Sequence, residues 1–195
     1  MKAWLDLYQQ HRDGRSGSTD LGTALRRRLL ALAERGHCHR TIQGRFTRHD
    51  GGPRRELYIQ PLDPNDPVKG EPLVDLPLLV NARLTVLALL SKKKDHVHQF
   101  TAMIEGTTRV GARWAAAVHL EEDYATPHQD RKGSGACGHA AFHCHVGPTL
   151  DDEPKVRLPL PAVGPADALD WLLSIVVPTW EPAPWPAVVA ALPVK

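Results

Sequence analysis

The distribution of proline places the strongest limit on how this chain can fold. The chain has 195 residues and 17 prolines, concentrated in 53–77 and 148–193. This is close to twice the average proline frequency of about 5%. Proline fixes φ and lacks a backbone N–H, so it disrupts helix interiors and central strands. We therefore expect long stretches of these two regions to be extended or turning.

Length and charge set further limits. A chain of this length can bury the core of one domain. Its 24 basic and 22 acidic residues leave a net charge of +2. Any nucleic-acid contact must therefore come from a local patch.

Cysteine use and hydropathy indicate the cellular compartment of the protein. The three cysteines form no C-x-x-C pair, which fits a reducing compartment better than a disulfide scaffold. No window approaches the ~18 uninterrupted apolar residues of a membrane span, and the start of the chain lacks the apolar segment of a signal peptide. We expect a soluble cytoplasmic protein with no membrane partner.

The N-terminal half predicts a helix, a hairpin and a second helix. Apolar residues spaced by three and four predict a helix that begins at Thr19 or Asp20 and ends at Arg35. The turn signal at 50–53 predicts a hairpin. Its strands are expected at 40–48 and 56–62. A proline-broken loop is expected over 61–77, followed by a helix from Asn81 through Leu90.

The C-terminal half reads as a meander followed by a helix. Four strands are expected at 96–105, 109–121, 138–146 and 155–160. A helix follows over 166–177, with Pro165 at its first turn, where proline is tolerated. Strands joined by short turns imply an antiparallel meander.

These elements predict an α+β fold, an antiparallel meander sheet with N-terminal and C-terminal helices packed on one face. We expect a single domain over 1–178 and a Pro/Trp-rich tail over 179–195. The expected parts of the domain are a helical region 1–36, a sheet core 40–160 and the C-terminal helix 165–177.

The densest group of metal-ligating and proton-carrying residues lies in 137–145. Alternate residues of a strand share a face, so His139, His143 and His145 should project together. If the strands pair in sequence order, His119 lies across from His143 or His145. Three or four imidazoles would then meet on one surface.

One interpretation of this cluster is metal-free acid–base chemistry on RNA. Two histidines with pKa values near 6.5 can act as base and acid at neutral pH. RNA suits them because its 2′-hydroxyl supplies the nucleophile. The candidate catalytic residues are His119, His143 and His145. The candidate substrate-binding cations are Arg157, Lys155 and Arg113. This interpretation needs no cofactor.

Three other interpretations stay open. The first is a zinc site formed by His139, His143 and His145 with Cys137 or His119, since these are zinc-type donors. The second is a polar strand face whose histidines meet only water and carboxylates. The third makes Cys137 a nucleophile activated by His139.

A family resemblance rests on the order of several of these parts. They are Arg113-Trp114 on the second strand, then His119, then His143-Cys144-His145, then the leucine-rich 168–173. Because its parts follow one another in this order, the stretch from about His96 to Val177 resembles small bacterial toxin-component proteins encoded beside an antitoxin. The resemblance covers less than half of the chain. The resemblance implies a bacterial toxin- or defence-type protein. It favours acid–base chemistry on RNA over a zinc site as the interpretation of the histidine cluster.

The tail offers a second candidate surface. Trp180 and Trp185 lie in a proline-fixed segment, which loses little entropy on docking. The segment either packs on its own domain or binds a partner protein. In the partner-binding alternative, the chain is a non-catalytic subunit of a larger bacterial assembly.

Overall fold

The structure is a computed structural model. It describes residues 18–51, 54–65, 69–91, 97–121, 142–148, 156–159 and 164–180. The helices in this part are α1 (Ser18–Glu34), α2 (Ile42–Arg45) and α3 (Pro165–Val176). The strands are β1 (Phe46–Gly51), β2 (Arg54–Ile59), β3 (Glu71–Leu73), β4 (Leu79–Ser91), β5 (Val97–Thr108), β6 (Arg113–Glu121), β7 (Phe142–Gly147) and β8 (Val156–Pro159).

All eight strands belong to one antiparallel sheet. Their order is β1-β2-β4-β5-β6-β7-β8, and β3 pairs with β4 further along the edge that β2 also uses. From β4 to β8 each strand pairs with the next one in sequence. Together with α1 and α3, this sheet confirms the predicted α+β meander.

Helix α1 forms because its leucines recur at helical spacing. The chain places Leu21, Leu25, Leu29 and Leu32 on one buried stripe. Gly36 ends the helix with φ of +81°. The amide of Gly36 donates to Ala33, and that of His37 donates to Leu32, which is the Schellman pattern. The prediction for this helix is confirmed, with its end at Glu34.

The core lies between the helices and one face of the sheet. Alternate residues of β4, β5 and β6 join the leucines of α1 and α3 in one buried cluster. An ion pair also links the two helices: Asp170 accepts bonds of 2.7–2.8 Å from Arg28. Both helices therefore cover the same face, as predicted.

The predicted helix from Asn81 through Leu90 is wrong, because this segment is part of strand β4. Its buried residues are Ala82, Leu84, Val86, Ala88 and Leu90. This period of two matches a strand rather than a helix. Asn81 has φ of +52° beside a register shift, so it marks an irregularity in the strand and not a helix cap.

Smaller corrections concern turns and short elements. The region 40–48 contains α2 before β1 begins, and the predicted loop 61–77 contains β3. The β5–β6 turn lies at 109–112, closed by a 2.7 Å bond from the amide of Thr108 to Ala112. Gly106 is inside β5, where an added Cβ would lie 3.0 Å from Ala82 Cα. This close approach explains the glycine.

None of the helices in the described ranges combines the length and apolar character that crossing a membrane requires.

Candidate functional site

The register between β6 and β7 brings the predicted histidines together. His119 pairs with His143, and Ala117 pairs with His145. Paired residues project to the same side of a sheet, and so do residues two apart on one strand. The three imidazoles therefore share the face opposite Val118 and Cys144, which belong to the helix-covered core. The predicted meeting of His119 with His143 and His145 is confirmed.

The three imidazole rings form a compact group. The ring centres of His119 and His143 are 5.2 Å apart, with planes inclined by 23°. Those of His119 and His145 are 5.0 Å apart, and those of His143 and His145 are 4.8 Å apart, both edge to face. The three rings are therefore near neighbours on one sheet face.

The cluster is shielded from solvent. His143 is buried, whereas His119 and His145 are half-buried. Burial of the imidazole, followed by the charges of His145 and His143, lowers the pKa of His119 from 6.5 to about 4. His119 is therefore neutral at physiological pH.

A threonine of the neighbouring strand contacts this imidazole. Thr101 on β5 pairs with His119 in register, and Thr101 Oγ1 lies 3.3 Å from His119 Nδ1. This contact at Nδ1 can fix the tautomer and orientation of the ring. Sequence reasoning missed Thr101. Only the pairing register of β5 with β6 shows that Thr101 lies beside His119, and the folded sheet defines that register.

The predicted cations have different outcomes. Arg157 occupies the β8 position paired with His145, which puts its backbone beside the cluster. Arg113 is not brought there: it lies six residues from His119 along β6 and is exposed. At about 3.3 Å per residue, the separation is roughly 20 Å. Lys155 lies outside the described residues.

The alternative metal ligands Cys137 and His139 also lie outside the described residues. Cys144 lies inside them, but burial raises the pKa of its thiol and it faces the core. Within the described ranges, no group of three or more His, Cys, Asp or Glu side chains is arranged to hold a metal ion.

Trp180 packs on its own domain. Trp180 is 6% exposed, and its Nε1 donates a 3.0 Å bond to Asp170 Oδ1. The guanidinium of Arg35 lies 4.8 Å from the ring centre, and Arg35 also donates to the carbonyl of Thr179. Of the two positions considered for this tryptophan, the structure shows the intramolecular one. Trp185 lies outside the described residues.

A second polar group, centred on Glu71, was not predicted. The carboxylate of Glu71 is fully buried and accepts a 2.5 Å bond from Arg45. It also accepts a 3.3 Å bond from the amide of His39. Burial, with the charge of Glu71, raises the pKa of the Cys38 thiol to about 12. This group ties α2 to β3 and leaves Cys38 protonated.

Comparison with protein-family models, with curated proteins and with solved structures finds no match for this chain. The candidate site therefore rests on its geometry.

Proposed function

We propose that this protein is a toxin- or defence-type enzyme that cleaves RNA by metal-independent proton transfer at His119, His143 and His145. The observation that supports the proposal is the grouping of three imidazoles within 5.2 Å of one another on one sheet face. Cleavage of RNA by this route uses a base for the 2′-hydroxyl and an acid for the departing oxygen, both near one phosphate.

His119 is the base in this mechanism. Its pKa, lowered by burial to about 4, keeps the ring unprotonated at neutral pH and makes it a weaker base than an imidazole with a pKa of 6.5. When Nδ1–H donates to Thr101 Oγ1, the lone pair lies on Nε2. Nε2 then takes the proton of the 2′-hydroxyl as O2′ attacks phosphorus.

The other two histidines supply the acid. As the O2′–P bond forms, the P–O5′ bond breaks, and the departing O5′ takes a proton from His143 or His145. Arg157, at the β8 position paired with His145, provides the cation for the phosphate. The products are a 2′,3′-cyclic phosphate and a free 5′-hydroxyl, so atoms and protons balance without a cofactor.

The test uses the full chain, freed of metal by a chelator, with a labelled oligoribonucleotide and the same oligonucleotide in its 2′-deoxy form. We expect cleavage of the first alone, with cyclic phosphate ends detected by mass spectrometry. His119→Gln, and the double variant His143→Asn/His145→Asn, should each lower the rate about 10²-fold or more.

His49→Gln is the matched control, since His49 is an exposed histidine on β1. Near-UV circular dichroism confirms that each variant is folded. The proposal fails if the metal-free protein leaves RNA intact. It also fails if the cluster variants cleave as fast as His49→Gln.

A further inference from the structure

The three ring centres define a nearly equilateral triangle, with sides of 4.8, 5.0 and 5.2 Å. Two vertices, His143 and His145, are two residues apart on β7, and the third belongs to the paired strand β6. Continuous pairing of β6 with both β5 and β7 holds the backbones of all three residues. The triangle is therefore built on two strands that each have a neighbouring strand on both sides.

A triangle of this size matches three imidazoles around one metal ion. Zinc lies about 2.0–2.1 Å from a histidine nitrogen and prefers tetrahedral geometry. The nitrogen is roughly 1 Å from the centre of its ring, so two rings on one tetrahedral ion have centres about 5 Å apart. All three observed separations agree with this value.

Ring orientation, unlike ring position, can change without movement of the backbone. The described side chains are not yet arranged to hold an ion. The centre of an imidazole lies close to the line of its Cβ–Cγ bond, so rotation about that bond turns the nitrogens and hardly moves the centre. This torsion is broad for histidine. Binding of one ion therefore requires the rings to turn about these bonds, a movement that leaves the backbone in place.

We infer that His119, His143 and His145 together bind one divalent transition-metal ion of the zinc class, and that the bound ion blocks proton transfer at this site. Neutral imidazole is a preferred ligand for zinc and its neighbours in the first transition series. Three protein ligands leave a fourth position of the tetrahedron for water.

The inhibitory part of this inference rests on the proposed function, whereas the binding part does not. A nitrogen lone pair that is donated to a metal ion can no longer accept a proton. The ion would thus act as a reversible inhibitor of the metal-free enzyme.

The binding test titrates metal-free full-length protein with Zn²⁺ by calorimetry and with Co²⁺ by visible absorption. We expect one equivalent of Zn²⁺ and the intense bands of tetrahedral Co²⁺. His119→Gln and His143→Asn should each weaken binding by more than about 100-fold, since even the loss of outer partners of a ligand costs 10–100-fold. His49→Gln should bind as the unchanged protein does.

Absence of a stoichiometric site, or equal binding by the cluster variants and His49→Gln, would overturn the inference. So would Co²⁺ bands typical of an octahedral site without imidazole ligands. Each of these results is obtained without RNA, so none depends on the proposed activity.

The inhibition test adds Zn²⁺ at the concentration that fills the site and measures RNA cleavage. We expect at least a 10-fold loss of rate, recovered by adding a chelator. A rate that is unchanged or increased by Zn²⁺ would refute the inhibitory role. Zinc binding by a protein that never cleaves RNA would contradict the proposed function and leave the metal site standing.

Discussion

Because the pKa of His119 is lower in the folded protein than in the unfolded chain, the free energy of unfolding should fall as the pH decreases between these two values. The pKa is 6.5 in the unfolded chain and about 4 in the folded protein, chiefly because the imidazole is buried. The unfolded state therefore binds a proton more readily than the folded state between these values. Stability from this group is fully present above pH 6.5 and is lost as the pH falls towards 4.

The size of this loss follows from the two pKa values. One pKa unit corresponds to about 1.4 kcal/mol. A shift from 6.5 to about 4 then removes about 3 kcal/mol from the free energy of unfolding once the pH is below the folded value. This is a large part of the 5–15 kcal/mol that stabilises a typical domain.

The assay is urea denaturation at several pH values between 7.5 and 4 for the unchanged protein and for His119→Gln. The other titrating groups are common to both proteins, so the difference between their curves reports His119 together with its coupling to His143 and His145. We expect the unchanged protein to lose about 2–3 kcal/mol more than the variant on going to pH 4. Parallel curves would refute the assignment of the low pKa to this imidazole.

Three further predictions concern packing and reactivity. Asp170→Ala should cost about 1.5–3 kcal/mol in denaturation experiments, because it removes the carboxylate that accepts bonds from Arg28 and Trp180, while Asp167 still pairs with Arg28; a loss below 1 kcal/mol would contradict this. Gly106→Val should cost about 1–3 kcal/mol, because its Cβ would meet Ala82 at 3.0 Å; unchanged stability would show that the strands can separate. Cys38, with a thiol pKa of about 12, should resist alkylation at pH 8 until the protein unfolds; rapid labelling of its peptide in the folded protein would contradict its burial.

The elements that the sequence predicted well are those whose apolar spacing admits one interpretation. Leucines at helical spacing identified α1 and α3, and the C-terminal run of short segments and turns identified the meander. The segment that became β4 is apolar without interruption from Val86 through Leu90, so the pattern of that run suits a buried helix as well as a strand. Its partners β2, β3 and β5 decide the outcome, and they come from elsewhere in the chain.

The histidine cluster was predictable because it depends only on residue spacing within one strand and on the order of neighbouring strands. The spacing of His143 and His145 puts them on one face, and the order of strands places His119 opposite. The contact with Thr101 depends on the exact β5–β6 register, and the Arg45–Glu71 pair depends on a strand inside an expected loop. Both result from tertiary pairing, which single-sequence patterns do not encode.

The most direct test of the account is a pH titration of the imidazoles by long-range ¹H–¹⁵N NMR, with each histidine assigned by substitution. We predict that His119 stays neutral down to about pH 4, and that its substitution shifts the resonances of His143 and His145 but not those of His49. Titration of His119 near 6.5, with no effect of its substitution on the other two rings, would show that the three imidazoles do not form one site.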